Sequence, residues 1–116
     1  MSTTSPITTH VLDTAAGRPA AGMVVVLKHL GEDGRWHQIA EGRTDDQGRL
    51  NNLLTADTLV DGRYRLSFAT GEYFQRNLVQ SLYPQVSVEF QVTAADEHYH
   101  IPLLLSPFGY STYRGS

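Results

Sequence analysis

Alternating apolar and polar residues predict strands along much of this chain. In residues 86–92, apolar side chains occupy every second position and polar side chains fill the positions between them. Tyr64, Leu66 and Phe68 alternate with polar residues in the same way. A period of two is typical of a strand that buries one face and exposes the other. We therefore expect half-buried strands in both segments.

Turn residues separate these predicted strands. The β-branched run at residues 23–30 is followed by Gly31-Glu32-Asp33-Gly34 and by residues 35–40, which can pair with it. Glycine and aspartate tolerate the positive φ angles of hairpin turns, so this segment predicts a hairpin. Further turns are expected at Gly17-Arg18-Pro19, Asp45-Asp46-Gln47-Gly48 and Asp61-Gly62.

One segment departs from the strand pattern. Phe74, Leu78 and Leu82 are four residues apart, which predicts a short helix over residues 70–82 with Thr70 as its cap and Pro84 as its end. Many short strands with frequent turns and one brief helix are typical of a mostly β protein, and we expect a β-sandwich.

Composition narrows the class of protein. The 116 residues fit one domain, and 41% hydrophobic with 18% charged residues is an ordinary globular composition. The net charge is -3 and no cluster of Lys or Arg occurs, so nucleic acid is not an expected partner. There are no cysteines for disulfides or thiolate metal sites. No signal peptide or membrane-spanning run is recognisable, and we expect a cytoplasmic protein without membrane contact.

The segment after residue 97 carries the first candidate chemistry. A strand over residues 98–105 places two sets of side chains on opposite faces. The apolar set, which predicts core, is Tyr99, Ile101, Leu103 and Leu105, and the other set is His98, His100, Pro102 and Leu104. The two histidines therefore point away from the core of their own subunit.

A second histidine segment lies near the N-terminus. Ile7, Thr9 and Val11 share one face of a predicted strand, and His10 lies on the other beside Thr8 and Leu12; an outward face that mixes Leu with His indicates a subunit interface or a pocket. Other interpretations stay open at this point. Such histidines are often structural or merely exposed, and His98 and His100 could bind zinc with His10.

No other catalytic or cofactor motif is recognisable. Ser106 and Ser111 lack the Gly-x-Ser-x-Gly setting of a nucleophile elbow, and no phosphate-binding or dinucleotide glycine loop occurs. Metal sites usually add carboxylates or cysteines to histidines, and Asp96 and Glu97 suit a turn better. We therefore expect neither a metal nor a cofactor.

The last seven residues, Tyr110-Ser111-Thr112-Tyr113-Arg114-Gly115-Ser116, are rich in β-forming residues and hydrogen-bond donors. A tail that frays would usually be small, charged and low in aromatic residues. Two interpretations follow. The segment is either an edge strand that finishes a sheet, or Arg114, Ser116 and the terminal carboxylate line a site.

Four segments together resemble the 5-hydroxyisourate hydrolases of the transthyretin-like family. They are Ile7-Thr8-Thr9-His10-Val11-Leu12-Asp13, Asp46-Gln47-Gly48-Arg49, His98-Tyr99-His100-Ile101-Pro102-Leu103-Leu104-Leu105-Ser106 and the closing Tyr113-Arg114-Gly115-Ser116. The resemblance covers residues 7–116 as one domain and leaves residues 1–6 as an N-terminal tail.

The resemblance implies a transthyretin-like β-sandwich of two four-stranded antiparallel sheets with one short α-helix. It also implies a homotetramer, a dimer of dimers, with active sites in a channel between the dimers. The expected substrate is 5-hydroxyisourate, opened at a ring amide by water without a cofactor. The catalytic positions implied are His10, Arg49 and His100, and the substrate-binding positions are His98, Tyr113, Arg114, Gly115 and Ser116.

These residue types suit the chemistry. A neutral imidazole near pH 7 can accept a proton from water and return it to a leaving nitrogen. A guanidinium is always charged and stabilises a developing oxyanion. Which histidine takes the proton stays open. Two other functions also stay open: a transthyretin-type carrier of a small aromatic ligand, and a β-sandwich adhesion or interaction module.

Overall fold

Residues 5–116 are described by a computed structural model, and two β-sheets form the framework of this part of the chain. One helix, α1, spans Thr70–Arg76. The strands of this part of the chain are β1 Ile7–Asp13, β2 Arg18–Pro19, β3 Val24–Leu30, β4 Trp36–Arg43, β5 Arg49–Leu50, β6 Gly62–Phe68, β7 Val86–Val92, β8 Tyr99–Ser106 and β9 Gly109–Thr112.

The first sheet has the order β2-β1-β8-β9, with β5 also paired to β1, and the second has the order β4-β3-β6-β7. Strands β1 and β8 run parallel. The first sheet thus differs from the expected four antiparallel strands in its short fifth strand and its one parallel pair. The reason is non-local: a parallel pair needs a long crossover, and here the whole second sheet lies between β1 and β8 along the chain.

The core lies between the two sheets, on the faces that the alternation predicts. The predicted strands at residues 64–68 and 86–92 are confirmed, and so is the hairpin between β3 and β4. The largest fully buried side chains are Tyr64, Phe68, Phe74, Ile7, Met23, Leu27, Leu66, Leu103, Leu105, Val11, Val25 and Val86. Burial of these apolar side chains is the main stabilising contribution to the fold.

The helix is shorter than predicted, and its expected cap is wrong. Thr70 makes no capping hydrogen bond to the helix; its hydroxyl donates to the Tyr83 carbonyl at 3.1 Å. The helix ends because Leu78 takes a left-handed backbone conformation, with φ of 59°. The N–H groups of Leu78 and Val79 then bond back to helix carbonyls, as in a Schellman motif. Leu78 and Leu82 therefore lie exposed rather than on a buried helix face.

A buried polar contact fixes the helix against the first sheet. The Tyr73 hydroxyl donates a hydrogen bond of 2.8 Å to the Asp13 carboxylate at the end of β1. Burial, with the hydrogen bond to Asp13, raises the pKa of Tyr73 to about 12. The phenol therefore stays protonated, and a hydrogen-bond donor to Asp13, at any physiological pH.

The structure describes two residues of the predicted tail, Ser5 and Pro6, and the boundary at residue 7 stays a prediction. Residues 1–4 of the predicted tail lie outside the described residues. Ser5 is buried, and its hydroxyl accepts a hydrogen bond of 3.0 Å from the Leu54 N–H, so the chain already packs on the domain before Ile7. Within residues 5–116, no helix is long and apolar enough to cross a membrane.

Candidate functional site

The outward face of the first sheet brings the predicted catalytic residues together. Across this face, β1 pairs with β8 on one side and with β5 on the other. His10 lies opposite Arg49 in one pairing and opposite Pro102 in the other. Thr8, two residues before His10 on the same face of β1, pairs with His100. Neighbouring strands lie about 5 Å apart, so these side chains share one small patch.

A tight turn places Arg49 at this patch. The Asp45 carboxylate accepts the N–H groups of Gln47 and Arg49, each at 2.9 Å. These hydrogen bonds hold the pKa of Asp45 below its usual value, so the carboxylate keeps its negative charge. Gly48 has a φ of 75°, and a side chain there would collide with the Val11 carbonyl oxygen. Only glycine lets the turn approach β1 this closely.

His10 is oriented by the same turn. Its Nε2 lies 2.8 Å from the Gln47 carbonyl oxygen. A carbonyl oxygen only accepts hydrogen bonds, so Nε2 of His10 carries a proton. In the neutral ring the lone pair is then on Nδ1. The turn therefore sets both the position and the tautomer of this imidazole.

His100 lies in a different environment. Burial, and then the nearby charges of His98, Arg49 and His10, lower the pKa of His100 below the usual histidine value. Its ring is therefore neutral near pH 7. Its Nδ1 lies 2.8 Å from the Thr8 hydroxyl, and no hydrogen bond to a described residue engages its Nε2. The structure thus presents a neutral imidazole with one nitrogen available.

The segment after β9 runs along β8 to the same patch. Gly115 donates its N–H to the His100 carbonyl at 2.8 Å. A Cβ on Gly115 would lie 2.6 Å from Cδ2 of His100, so the backbone here touches the edge of the ring. The segment therefore extends the sheet edge and touches His100, whereas the lining of a site by Arg114, Ser116 and the terminal carboxylate stays a prediction.

Arg114 makes its contacts around the start of β8. Its guanidinium donates to the Glu97 carboxylate at 2.9 Å and to the His98 carbonyl at 3.1 Å. It also lies over the Tyr99 ring, 4.2 Å from the centroid. These contacts fasten the last residues to the start of β8. Substrate binding by Arg114, and by the exposed Tyr113 and Ser116, stays a prediction.

Two residues of the patch were not assigned a role from the sequence. Thr8 was placed on the outward face, but nothing local shows that it bonds to histidines 90 and 92 positions away. Asp45 was recognised only as part of a turn. Its backbone contacts are those of an Asx turn, for which aspartate before Gly48 is a sequence signal.

The described residues contain no group of three or more His, Cys, Asp or Glu side chains placed to hold a metal ion. The Thr8 hydroxyl lies between His100 on β8 and His98, the residue just before β8, and the centroids of the two rings are 6.3 Å apart. The zinc interpretation of His10, His98 and His100 therefore gains no support from the arrangement.

Comparison with known proteins agrees with this geometry. A model of the HIUase/Transthyretin family matches residues 7–115. The chain belongs to this family. A 5-hydroxyisourate hydrolase of Halalkalibacterium halodurans is 47% identical over 115 residues, covering 95% of this chain and 97% of the relative.

Two solved structures of the family share the fold. The 5-hydroxyisourate hydrolase of Klebsiella pneumoniae is 37% identical, with a TM-score of 0.81 over 95% of this chain and 98% of that chain. Sea bream transthyretin in complex with thyroxine is 33% identical, with a TM-score of 0.91 over 96% of this chain and 95% of that chain. The transthyretin-like fold is thereby confirmed, and backbone similarity alone does not separate the two functions.

Proposed function

We propose that this protein is a 5-hydroxyisourate hydrolase of urate degradation. The observation that carries the proposal is the patch on the first sheet, where His10, Arg49 and His100 converge on one outward face. Identity of 47% to a relative of that name, over nearly the whole of both chains, supports it. The reaction is hydrolytic opening of a ring amide to 2-oxo-4-hydroxy-4-carboxy-5-ureidoimidazoline.

In the proposed mechanism, His100 activates the water. Its lowered pKa keeps the ring neutral near pH 7, and its Nε2 has no hydrogen bond to the described residues. A base with a pKa near or below the working pH is available in the right form, which is what proton abstraction from water requires. The protonated ring can then return the proton to the leaving nitrogen, so that no net proton stays on the enzyme.

His10 and Arg49 complete the proposed site. His10 donates through Nε2 to the Gln47 carbonyl and is held in one orientation, which suits a group that binds the substrate or relays a proton. Arg49 lies opposite His10 and brings a permanent positive charge to the carbonyl oxygen that becomes an oxyanion. Gly115, Ser116 and Tyr113 are proposed to close one side of the site.

We further propose that the enzyme is a homotetramer that encloses the site. In the single chain the patch is open: Arg49 is exposed, and His10, Leu12, His100 and Leu104 are half-buried. Within the described sheets, strands β7 and β9 each have a neighbouring strand on one side only. A second pair of subunits packed on the outward face would exclude water from the site and strengthen its electrostatics. Cytoplasmic location stays a prediction.

The alternative, a carrier of a small aromatic ligand, has one observation in its favour. The TM-score to transthyretin, 0.91, exceeds that to the hydrolase structure, 0.81. We give more weight to sequence identity, which is higher for the hydrolases, because the backbone is common to both functions and the side chains are not. A carrier has no need for His10, Arg49 and His100 together.

The decisive experiment generates 5-hydroxyisourate from urate with urate oxidase and follows the decay of its ultraviolet absorbance after this protein is added. We expect decay well above the spontaneous rate. Arg49→Lys keeps the charge but loses the planar fork, and it should lower kcat/KM by roughly 10²- to 10³-fold. Arg63→Lys, an exposed arginine on β6 in the second sheet, is the matched control.

Three outcomes would each change a part of the conclusion. Equal activity of the Arg49 and Arg63 variants would remove Arg49 from the mechanism. No acceleration by a folded wild-type tetramer, with thyroxine binding in calorimetry, would identify a carrier instead. A monomer in size-exclusion chromatography that is nevertheless active would overturn the proposed enclosure by neighbouring subunits.

A further inference from the structure

A cleft beside the helix brings together arginines that lack a carboxylate partner. Within residues 5–116, the arginines that form ion pairs lie elsewhere in the fold and are Arg63, Arg65 and Arg114. Arg18 and Arg76 line a cleft of about 500 Å³ between β2 and α1, and Arg43 reaches its edge at Gly22. The chain has a net charge of -3, so this cluster has the opposite sign to the chain as a whole.

Arg76 is held in place without being neutralised. Its guanidinium donates to the Gly22 carbonyl at 3.3 Å and to the Ala21 carbonyl at 3.2 Å. Arg43 donates to the same Gly22 carbonyl at 3.4 Å. Carbonyl groups orient the two guanidinium groups but carry no negative charge, and each guanidinium has further N–H donors for a ligand. Because the two positive charges share one acceptor, they repel each other, and a bound anion would stabilise both.

The strand pairing places Arg18 on the helix side of the first sheet. Arg18 lies directly opposite Asp13, and directly paired residues point to the same face of a sheet. Asp13 bonds to Tyr73 of α1, whereas His10 lies on the other face of β1. The cleft and the candidate functional site are therefore on opposite faces. Subunits packed on the outward face would leave the cleft open.

The carboxylates near the cleft do not cancel its positive charge. Asp46 is the single acidic residue among the described residues that line it. The Asp13 carboxylate is buried and already accepts hydrogen bonds from the Tyr73 hydroxyl at 2.8 Å and the Ala16 N–H at 2.9 Å. Two guanidinium groups against one carboxylate leave the lining positive, and Arg43 adds to this charge.

The size and charge of the cleft indicate the class of ligand. Sites for small molecules have volumes of roughly 300–1,000 Å³. The planar fork of a guanidinium matches the oxygens of a phosphate or a carboxylate. A phosphate ester carries about -1.5 to -2 charges near pH 7, more than one carboxylate, and two arginines that face an opposing aspartate favour the more highly charged group.

We propose that the cleft between β2 and α1 binds a small phosphate-bearing anion through Arg18 and Arg76. Arg43 supports the site from its edge, and Asp46 limits its affinity. This site is separate from the patch of His10 and Arg49, and its existence does not depend on the proposed hydrolase activity.

The test is calorimetry on the full-length protein without 5-hydroxyisourate, at constant ionic strength. The probes are inorganic phosphate, ribose 5-phosphate and citrate. We expect saturable binding of phosphate. Tighter binding of ribose 5-phosphate would support an organic phosphate as the ligand, and equal affinity would support free phosphate. Citrate binding more tightly than both would overturn the choice of phosphate.

Single substitutions locate the site. Arg76→Gln and Arg18→Gln should each weaken phosphate binding roughly tenfold to a hundredfold, as expected for the loss of charge-assisted hydrogen bonds. Arg35→Gln changes the net charge equally at an exposed arginine in the β3–β4 hairpin and should have no effect. Asp46→Asn should tighten binding, because it removes a repelling charge. Arg18 is exposed, so its variant serves if Arg76→Gln folds poorly.

Backbone NMR spectra supply the second readout. Phosphate should shift the signals of residues 18–22 and 73–77. Absence of saturable binding to the wild type would overturn the proposal, and so would equal weakening by Arg35→Gln, which would indicate non-specific attraction. Shifts confined to His10, Arg49 and His100 would assign the anion to the candidate functional site instead.

Discussion

The histidines of the two sheets have the same side chain and very different surroundings. On the second sheet, His29 stacks on Tyr64 with ring centroids 4.5 Å apart, and Nε2 of the exposed His37 lies 2.9 Å from the Asp33 carboxylate. On the first sheet, His10 bonds to the Gln47 carbonyl and His100 to the Thr8 hydroxyl.

The partners of the histidines on the two sheets differ in their charge and in whether they leave ring nitrogens available. Ring stacking makes His29 part of the packing, and the Nε2 of His37 bonds to the Asp33 carboxylate, whose pKa is held below its usual value mainly by the Arg35 N–H and by this contact. On the first sheet the partners are uncharged, burial and neighbouring cations favour the neutral ring of His100, and ring nitrogens stay available. Catalytic potential therefore follows from the surroundings of each imidazole and not from the number of histidines.

The largest expected effect is a loss of kcat, and it should distinguish the histidines of the first sheet from those of the second. His10→Asn and His100→Asn should each lower kcat by roughly 10²- to 10⁴-fold, because each removes a group proposed for acid–base chemistry. His37→Asn should leave kcat unchanged. The coupled absorbance assay measures all three, with circular dichroism to establish that each variant is folded. Comparable losses in all three variants would erase the distinction between the two sheets.

A smaller effect is expected from the backbone that touches His100. Gly115→Ala places a Cβ 2.6 Å from Cδ2 of His100 and 3.3 Å from Cγ of Pro102, so the ring or the segment must move. Displacement of a catalytic group by about 1 Å lowers turnover by roughly 10²-fold, and we expect a fall of about tenfold to a hundredfold in kcat.

Gly109→Ala at the start of β9 is the matched control, since its Cβ would meet only Oγ of Ser106 at 3.8 Å. Thermal unfolding of both variants separates a local displacement from a loss of stability. Wild-type kcat in Gly115→Ala would show that contact with the His100 ring does not position it for catalysis.

The third expectation concerns how kcat depends on pH. Because the pKa of His100 lies below the usual value, the acid limb of kcat should have its midpoint below about 6.5. Arg49 contributes to this lowering, so Arg49→Gln should move the His100 titration toward higher pH in NMR, whereas Arg63→Gln should not. A titration of His100 above 6.5 in the wild type would contradict the assignment of a neutral base.

The same shift predicts the sign of a stability effect. A histidine with a lowered pKa in the folded state binds its proton more readily when unfolded. Its contribution to the free energy of unfolding is therefore present above about pH 6.5 and is lost as the pH falls through the pKa of the folded state. Chemical unfolding of the wild type and of His100→Asn across this range measures the difference.

The smallest effect concerns the second sheet. His29→Asn removes a stacked aromatic partner of Tyr64, and we expect the free energy of unfolding to fall by about 0.5–1.5 kcal/mol with kcat unchanged. Urea unfolding measures the free energy of unfolding, and the absorbance assay measures kcat. A large loss of activity in a stable variant would show that the second sheet takes part in the chemistry.

Local pattern accounts for the elements that were predicted correctly. Alternation over residues 86–92 and 98–105 identified the buried faces, because a strand turns successive side chains to opposite sides. The same argument failed for the helix. Spacing by four made Leu78 and Leu82 look like a buried helical stripe, but Leu78 ends the helix in a left-handed conformation and both leucines lie exposed.

The sequence by itself determined which faces of β1, β6, β7 and β8 are buried, that His10, His98 and His100 point away from the core, and the family to which their motifs belong. The tertiary structure alone decided that β1 runs parallel to β8, with Thr8 opposite His100 and Arg49 opposite His10. Residues 92 positions apart meet only when the sheet forms. Local periodicity specifies a face, whereas register and strand direction depend on the packing of the whole chain.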